Sequence, residues 1–178
     1  MGKVLYSAAM SLDGFIAGPG GDAQWMTGYL GPNPEVDDLV PGIGALLVGR
    51  RTYGGDDPNR GTEHEGAFGG TWHGPQFVVT HRPAEPAPGV TFVGDVVSAV
   101  AAAKEAAGDK YVTVLGAEVA RGCLDAGLLD EILVAIVPVL LGDGVRLFER
   151  PGGDHVRLER LKLTEAPTMS NLWLRVVR

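Results

Sequence analysis

Two strand ends carry the residues best suited to chemistry. The short apolar run Ala45-Leu46-Leu47-Val48 reads as a buried strand and leads directly into Gly49-Arg50-Arg51-Thr52-Tyr53. Phe77-Val78-Val79 likewise leads into Thr80-His81-Arg82-Pro83. In an open α/β sheet, ligands bind beyond the carboxyl ends of the strands. Guanidinium groups offer planar donors that match phosphate oxygens, and threonine hydroxyls add further donors. Either motif alone is also what a soluble sheet edge looks like. Together, two neighbouring strand ends rich in Thr and Arg favour one anionic, phosphorylated ligand bridging them.

The elements that must position these residues alternate along the chain. Val4 to Ala9 reads as a first strand, followed by a glycine-rich loop from Ser11 to Trp25. Asn33-Pro34-Glu35 looks like a helix start, with proline in its first turn. Strands are expected at Ala45–Val48, Gln76–Val79, Val90–Val93, Tyr111–Leu115 and Ile132–Val137. Asp95 caps the clearest helix, Val96 to Ala107, which Gly108 closes, and a second helix spans Glu118 to Ala126. Leu158 to Leu163 and the alternating Leu172, Leu174, Val176 form two last strands. Strand–helix alternation predicts an α/β fold with a mostly parallel sheet, and the hairpin-like C-terminus predicts antiparallel strands. With no repeat and no low-complexity linker, the chain reads as one domain over residues 1–178. The segment from Gly54 to Gly74 is too long for a routine connection. It is either a pocket-lining lid, with Phe68 and Trp72 folded back onto the body, or a surface insertion.

Composition narrows the functional classes. The chain has 178 residues, 45% of them hydrophobic, enough for a full core. A formal net charge of -7 without any basic run speaks against nucleic acid or an anionic membrane as partner. No stretch has the length of a membrane span, and the first residues look like a strand rather than a leader. Cys123 is the only cysteine, so a reducing, cytoplasmic setting is expected and the thiol reads as a small buried hydrophobe. His64, His73, His81 and His155 show no ligand spacing, and no metal is expected.

Three motifs together resemble a known superfamily. Ser11-Leu12-Asp13-Gly14-Phe15-Ile16-Ala17, Gly49-Arg50-Arg51-Thr52-Tyr53 and Val114-Leu115-Gly116-Ala117-Glu118 each follow a strand, in order. They resemble the dihydrofolate-reductase-like superfamily, and most closely the reductase domain found at the C-terminus of the riboflavin-biosynthesis deaminase-reductase. The spacing Gly49-x-x-Thr52-x-x-x-Asp56-Asp57-Pro58 is shared with that branch. Its pattern continues with Leu and Arg where this chain has Asn59-Arg60-Gly61-Thr62, which leaves the pyrimidine substrate open.

The resemblance implies a three-layer fold and NADPH lying across the carboxyl ends of the central strands. It implies that Ala9 and Ile16 contact the nicotinamide carboxamide, and that Gly49, Arg50, Arg51 and Thr52 serve the cofactor phosphates. Thr80, His81 and Arg82 match the strand end holding the adenosine 2′-phosphate. Gly116, Ala117, Glu118 and Val119 match a turn opening a helix whose N–H groups face the pyrophosphate, a ready anion site. Many relatives have two glycines, joined in dihydrofolate reductases by a cis peptide, where this chain has Gly116-Ala117. A nicotinamide delivers hydride itself, so the protein must position it, exclude water and supply a proton. Asp13 is the first catalytic candidate on the substrate side, although Asp13-Gly14 is also a plain turn signal. The family's proton donor lies on the first helix, where Glu35, Asp37 and Asp38 fall. Trp25, Asp56 and Asp57 complete the candidate substrate contacts. The implied activity is reduction of a small heterocycle, as in 5-amino-6-(5-phosphoribosylamino)uracil reductase. A dihydrofolate or pterin reductase and a non-catalytic NADPH-binding protein remain alternatives. Members are often dimers, and the run Ile132 to Leu141 suits either a subunit contact or pure core.

Overall fold

The computed structural model describes residues 1–178. Its strands are β1 (Val4–Ser11), β2 (Phe15–Ala17), β3 (Ile43–Gly49), β4 (Gln76–Val79), β5 (Val90–Val93), β6 (Tyr111–Leu115), β7 (Glu131–Val137), β8 (Val145–Arg146), β9 (Leu158–Ala166) and β10 (Met169–Val176). Its helices are α1 (Pro34–Leu39), α2 (Arg50–Tyr53), α3 (Val96–Ala107) and α4 (Ala117–Asp125). One eight-stranded sheet runs in the order β5-β4-β3-β6-β1-β7-β10-β9. Strands β5 through β7 in that order are parallel, whereas β10 and β9 are antiparallel to their neighbours. A small antiparallel ladder pairs β2 with β8.

The alternation of side chains along each strand divides the core in two. Val4 and Tyr6 on β1, Ala45 and Leu47 on β3, and Val112 and Val114 on β6 pack beneath α3 and α4. Leu5, Leu46, Val48 and Val78 face the opposite way, against Leu39 of α1 and Trp72. The central strands are apolar on both faces because helices or loops cover both, as parallel sheets require. Asp95 accepts a hydrogen bond from Ser98 N at 2.8 Å and starts α3, and Gly108 ends it at φ +62°. Buried Glu131 fastens the far end of the sheet, accepting from Lys3 Nζ (2.6 Å), Tyr111 Oη (3.0 Å) and Trp173 Nε1 (2.8 Å).

Several elements differ from expectation. β1 extends to Ser11 and β9 to Ala166, and β2 and β8 lie outside the expected strands. β7 lies between β1 and β10, so Ile132 to Val137 belongs to the interior, while Leu140 beyond it is 69% exposed. Trp72 is buried and donates from Nε1 to Ile43 O at 3.1 Å, which ties the end of the 54–74 segment to the body. Cys123 is fully buried, and burial pushes its thiol up to about 12. No helix is long and apolar enough to cross a membrane.

Candidate active site

A cleft of about 1080 Å³ opens at the carboxyl ends of β1, β3 and β6. Ala9, Ile16, Gly49, Arg51 and Thr52 line it, together with Gly116, Ala117, Glu118 and Val119. The two glycine turns are forced together by packing. Gly116 has φ +101°, and a Cβ there would collide with Thr52 Oγ1. A Cβ on Gly49 would lie 3.2 Å from Val119 Cγ2. Glycine at these positions lets the β3–α2 and β6–α4 turns meet and leaves backbone exposed in the cleft. The first N–H groups of a helix have no intrahelical acceptor and carry its positive dipole end. At α4 no side chain caps them. The Gly116–Ala117 peptide, like all others, is trans.

A second cavity of about 700 Å³ lies on the other side of β1. Its walls include Ser7, Asn33, Val36, Asp37, Asp57 and Phe68. The two cavities share Ala8, Ala9, Met26 and Leu115. Small or apolar side chains therefore form the only wall common to both.

The remaining sequence-predicted residues fall in different places. Arg50 is exposed on α2 and does not line the cleft, because successive helical side chains diverge by about 100°. Thr80, His81 and Arg82 also lie outside the cleft lining. The pairing of Gly49 with Val79 nevertheless puts Arg50 and Thr80 at adjacent strand exits. Thr80 Oγ1 accepts from Arg82 N at 3.0 Å within its own turn, and His81 lies beside Gly94 and Asp95.

Asp13 lines neither cavity. It accepts from Ser11 Oγ (2.6 Å), Leu141 N (3.0 Å) and Gly142 N (2.8 Å). Those bonds, that from Ser11 foremost, hold its carboxyl down to about 2. Asp13, expected on the substrate side, forms a clasp between the β1–β2 turn and the chain after β7. Trp25 also lines neither cavity, and its Nε1 is buried without an acceptor.

Asp56 lines the cleft, where it accepts from Gln24 Nε2 (3.0 Å) and Ala23 N (3.2 Å). The Gln24 bond and then the Ala23 bond lower its pKa, and the contact latches the 18–26 loop to the 54–74 segment. Asp57 faces the second cavity instead.

Of the three acids near α1, only Asp37 lines the second cavity. Glu35 is turned toward β9, accepting from Lys162 Nζ (2.8 Å) and Thr164 Oγ1 (3.2 Å). Asn33, Val36, Asp37 and Val40 all line the cavity. Their i, i+3, i+4, i+7 spacing is one helix face, a signal in the sequence that singles out Asp37.

The RibD C-terminal domain family matches residues 2–173. The chain belongs to that family. Among curated relatives, the uncharacterized protein YyaP of Bacillus subtilis is 27% identical over 159 residues, covering 82% of this chain and 80% of YyaP. The riboflavin biosynthesis protein RibD of Corynebacterium ammoniagenes is 30% identical over 164 residues, covering 80% of this chain but 45% of that protein. Among solved structures, a putative riboflavin biosynthesis protein from Shewanella sp. PV-4 superposes with TM-score 0.79 at 23% identity, over 99% of both chains. Dihydrofolate reductase from Enterococcus faecalis, complexed with NADP(H) and RAB-propyl, gives TM-score 0.65 at 15% identity, over 98% of this chain and 96% of that one. The RibD C-terminal domain here therefore has the dihydrofolate-reductase-like fold.

Proposed function

We propose that the protein is an NADPH-dependent oxidoreductase that reduces a small nitrogen heterocycle of the pyrimidine or pteridine class. One observation carries this reading: two cavities of different character meet at Ala8, Ala9, Met26 and Leu115. The larger suits a dinucleotide, with Arg51, Thr52 and the N–H groups opening α4 available to its phosphates. Asp22, Asp56 and Glu118 also line that cleft. Asp56 is already bonded to Gln24 and Ala23, which turns its charge toward the protein's own donors.

When bound, NADPH supplies a hydride from its nicotinamide ring. The chain's own residues do the rest. Ala8 and Ala9 are small enough to let two ligands approach across β1, while Met26 and Leu115 keep water from the junction. In the second cavity Asp37 is placed to accept a ring N–H of the heterocycle. Thr80, His81 and Arg82 stand at the next strand exit, within the same sheet edge, and serve the 2′-phosphate. Membership of the RibD C-terminal domain family supports a reductase, and the NADP(H) complex of the Enterococcus enzyme supports the cofactor class.

Fluorescence titration with NADPH and NADH tests the cofactor assignment. NADPH binds more tightly, and Arg51→Ala weakens it by about tenfold to a hundredfold, the worth of one charge-assisted contact of roughly 1.5–3 kcal/mol. Equal affinities for the two cofactors remove the 2′-phosphate assignment. Loss of NADPH absorbance on adding a dihydropteridine or an aminopyrimidine tests the reduction. Tight NADPH binding without oxidation by either class would make the chain a binding protein on a reductase fold.

A further inference from the structure

The charges around the second cavity say what kind of molecule fits there. No Lys or Arg lines it; its charged residues are Asp37 and Asp57, with His64 as the one titratable base. The next cation along the segment, Arg60, belongs to the first cavity, where its guanidinium donates to Gly55 O at 2.6 Å. Two of the loop's backbone donors are also engaged by a carboxylate of the protein itself. Asp57 takes Asn59 N on one carboxylate oxygen and Gly66 N on the other, each at 2.7 Å. Both Asn59 and Gly66 line the cavity. An internal carboxylate thus takes the place an anion would have at these two donors.

A phosphate entering the cavity would lose part of its hydration, find no cation, and face two carboxylates of its own sign. A neutral or protonated ring meets the opposite situation. Its N–H and amino groups find acceptors in Asp37 and in the remaining lone pairs of Asp57, and its faces find Val36, Val40, Leu133 and Phe68. We propose that the second cavity is specific for a phosphate-free, amine-bearing nitrogen heterocycle and rejects the phosphorylated form of the same molecule. The inference rests on this cavity being the substrate side of the proposed reductase, and adds the substrate's charge class.

The test uses two matched pairs on the full chain saturated with NADP⁺: 5-amino-6-ribosylaminouracil and its 5′-phosphate, and 6-hydroxymethyl-7,8-dihydropterin and its phosphate. Calorimetry gives Kd for each, and a separate NADPH titration shows whether the cofactor side is intact. The unphosphorylated member of at least one pair binds at least tenfold more tightly than its phosphate. His64→Arg, which adds a cation at an exposed position without touching the Asp57 bonds, narrows that ratio several-fold. Asp57→Asn does the same by removing a charge and one acceptor. Phosphorylated ligands that bind wild type as tightly as their partners in every pair that binds overturn the inference, as does a ratio unmoved in His64→Arg. Failure of all four ligands to bind overturns it too, and the NADPH titration then decides separately whether the cofactor assignment stands.

Discussion

Asp13 shows how a side chain can sit beside a functional cleft and serve it only indirectly. Its carboxylate accepts from one hydroxyl and two backbone N–H groups, and the turn it holds carries Ile16 and Ala17 into the cleft wall. Because the folded protein holds its pKa near 2, below the ordinary 3.8, the ionised form is the one that stabilises the fold. That contribution is fully present above about pH 4 and is lost as the pH falls through about 2. Asp13→Asn therefore lowers the melting temperature at neutral pH, and its difference from wild type shrinks as the pH approaches 2. A constant difference across that range would show that the clasp does not depend on charge. The sequence pointed to Asp13 because Asp-Gly marks a turn and a site equally well. It could not separate the two, since the deciding donors, Leu141 and Gly142, lie more than a hundred residues away. That Arg51 and Thr52 line the cleft was legible because a strand end fixes where the following residues emerge. Arg50, one residue earlier on α2, is exposed and does not line the cleft.

At the level of elements, periodicity decided what could be read. α3 has twelve residues with a cap at each end, and β6 is an unbroken β-branched and apolar run; both were legible. β2 and β8 have three and two residues, too few to show a period, and exist because each is the other's partner. α1 is short, six residues, so its orientation comes from docking rather than propensity. Asn33 and Asn171 are both buried and exchange two amide hydrogen bonds of 2.8 Å, joining the start of α1 to β10. Since Asn33 and Asp37 share the cavity-facing stripe, that pair sets where Asp37 points. Asn171→Ala leaves the Asn33 amide buried without its main partner, a loss on the order of 1–3 kcal/mol by chemical denaturation. The same variant weakens ligand binding in the second cavity more than NADPH binding. Equal weakening of both would mean that α1 is not positioned by this pair.

On the scale of the whole molecule, the 54–74 segment joins the two cavities. Gly54, Gly55, Asp56 and Arg60 line the cleft, while Asp57, Asn59, His64 and Phe68 line the second cavity. Trp72 anchors the segment's far end in the core, and the Asp56 bonds to Gln24 and Ala23 hold its near end. Between these anchors the chain is held mainly by turns, with Gly61, Gly66, Gly69 and Gly70 at positive φ and Phe68 at φ +54°. A left-handed phenylalanine is strained by roughly 1–2 kcal/mol, and fixing each residue's backbone costs about as much again. Such a segment exchanges its amides readily unless something holds it. On the proposed reading, NADPH in the cleft would lie against its first residues and remove part of the ordering that a second ligand would otherwise have to impose. Binding would then be coupled in both directions: we expect NADPH to raise affinity in the second cavity, and a ligand there to raise affinity for NADPH by the same factor. Hydrogen exchange with and without NADPH measures the first half of this. Amides of residues 54–70 gain protection when NADPH is added, while those next to Trp72 are protected in both states. Identical exchange over 54–70 in the two states would mean that the segment is a fixed wall, and the affinities of the two cavities would then be independent.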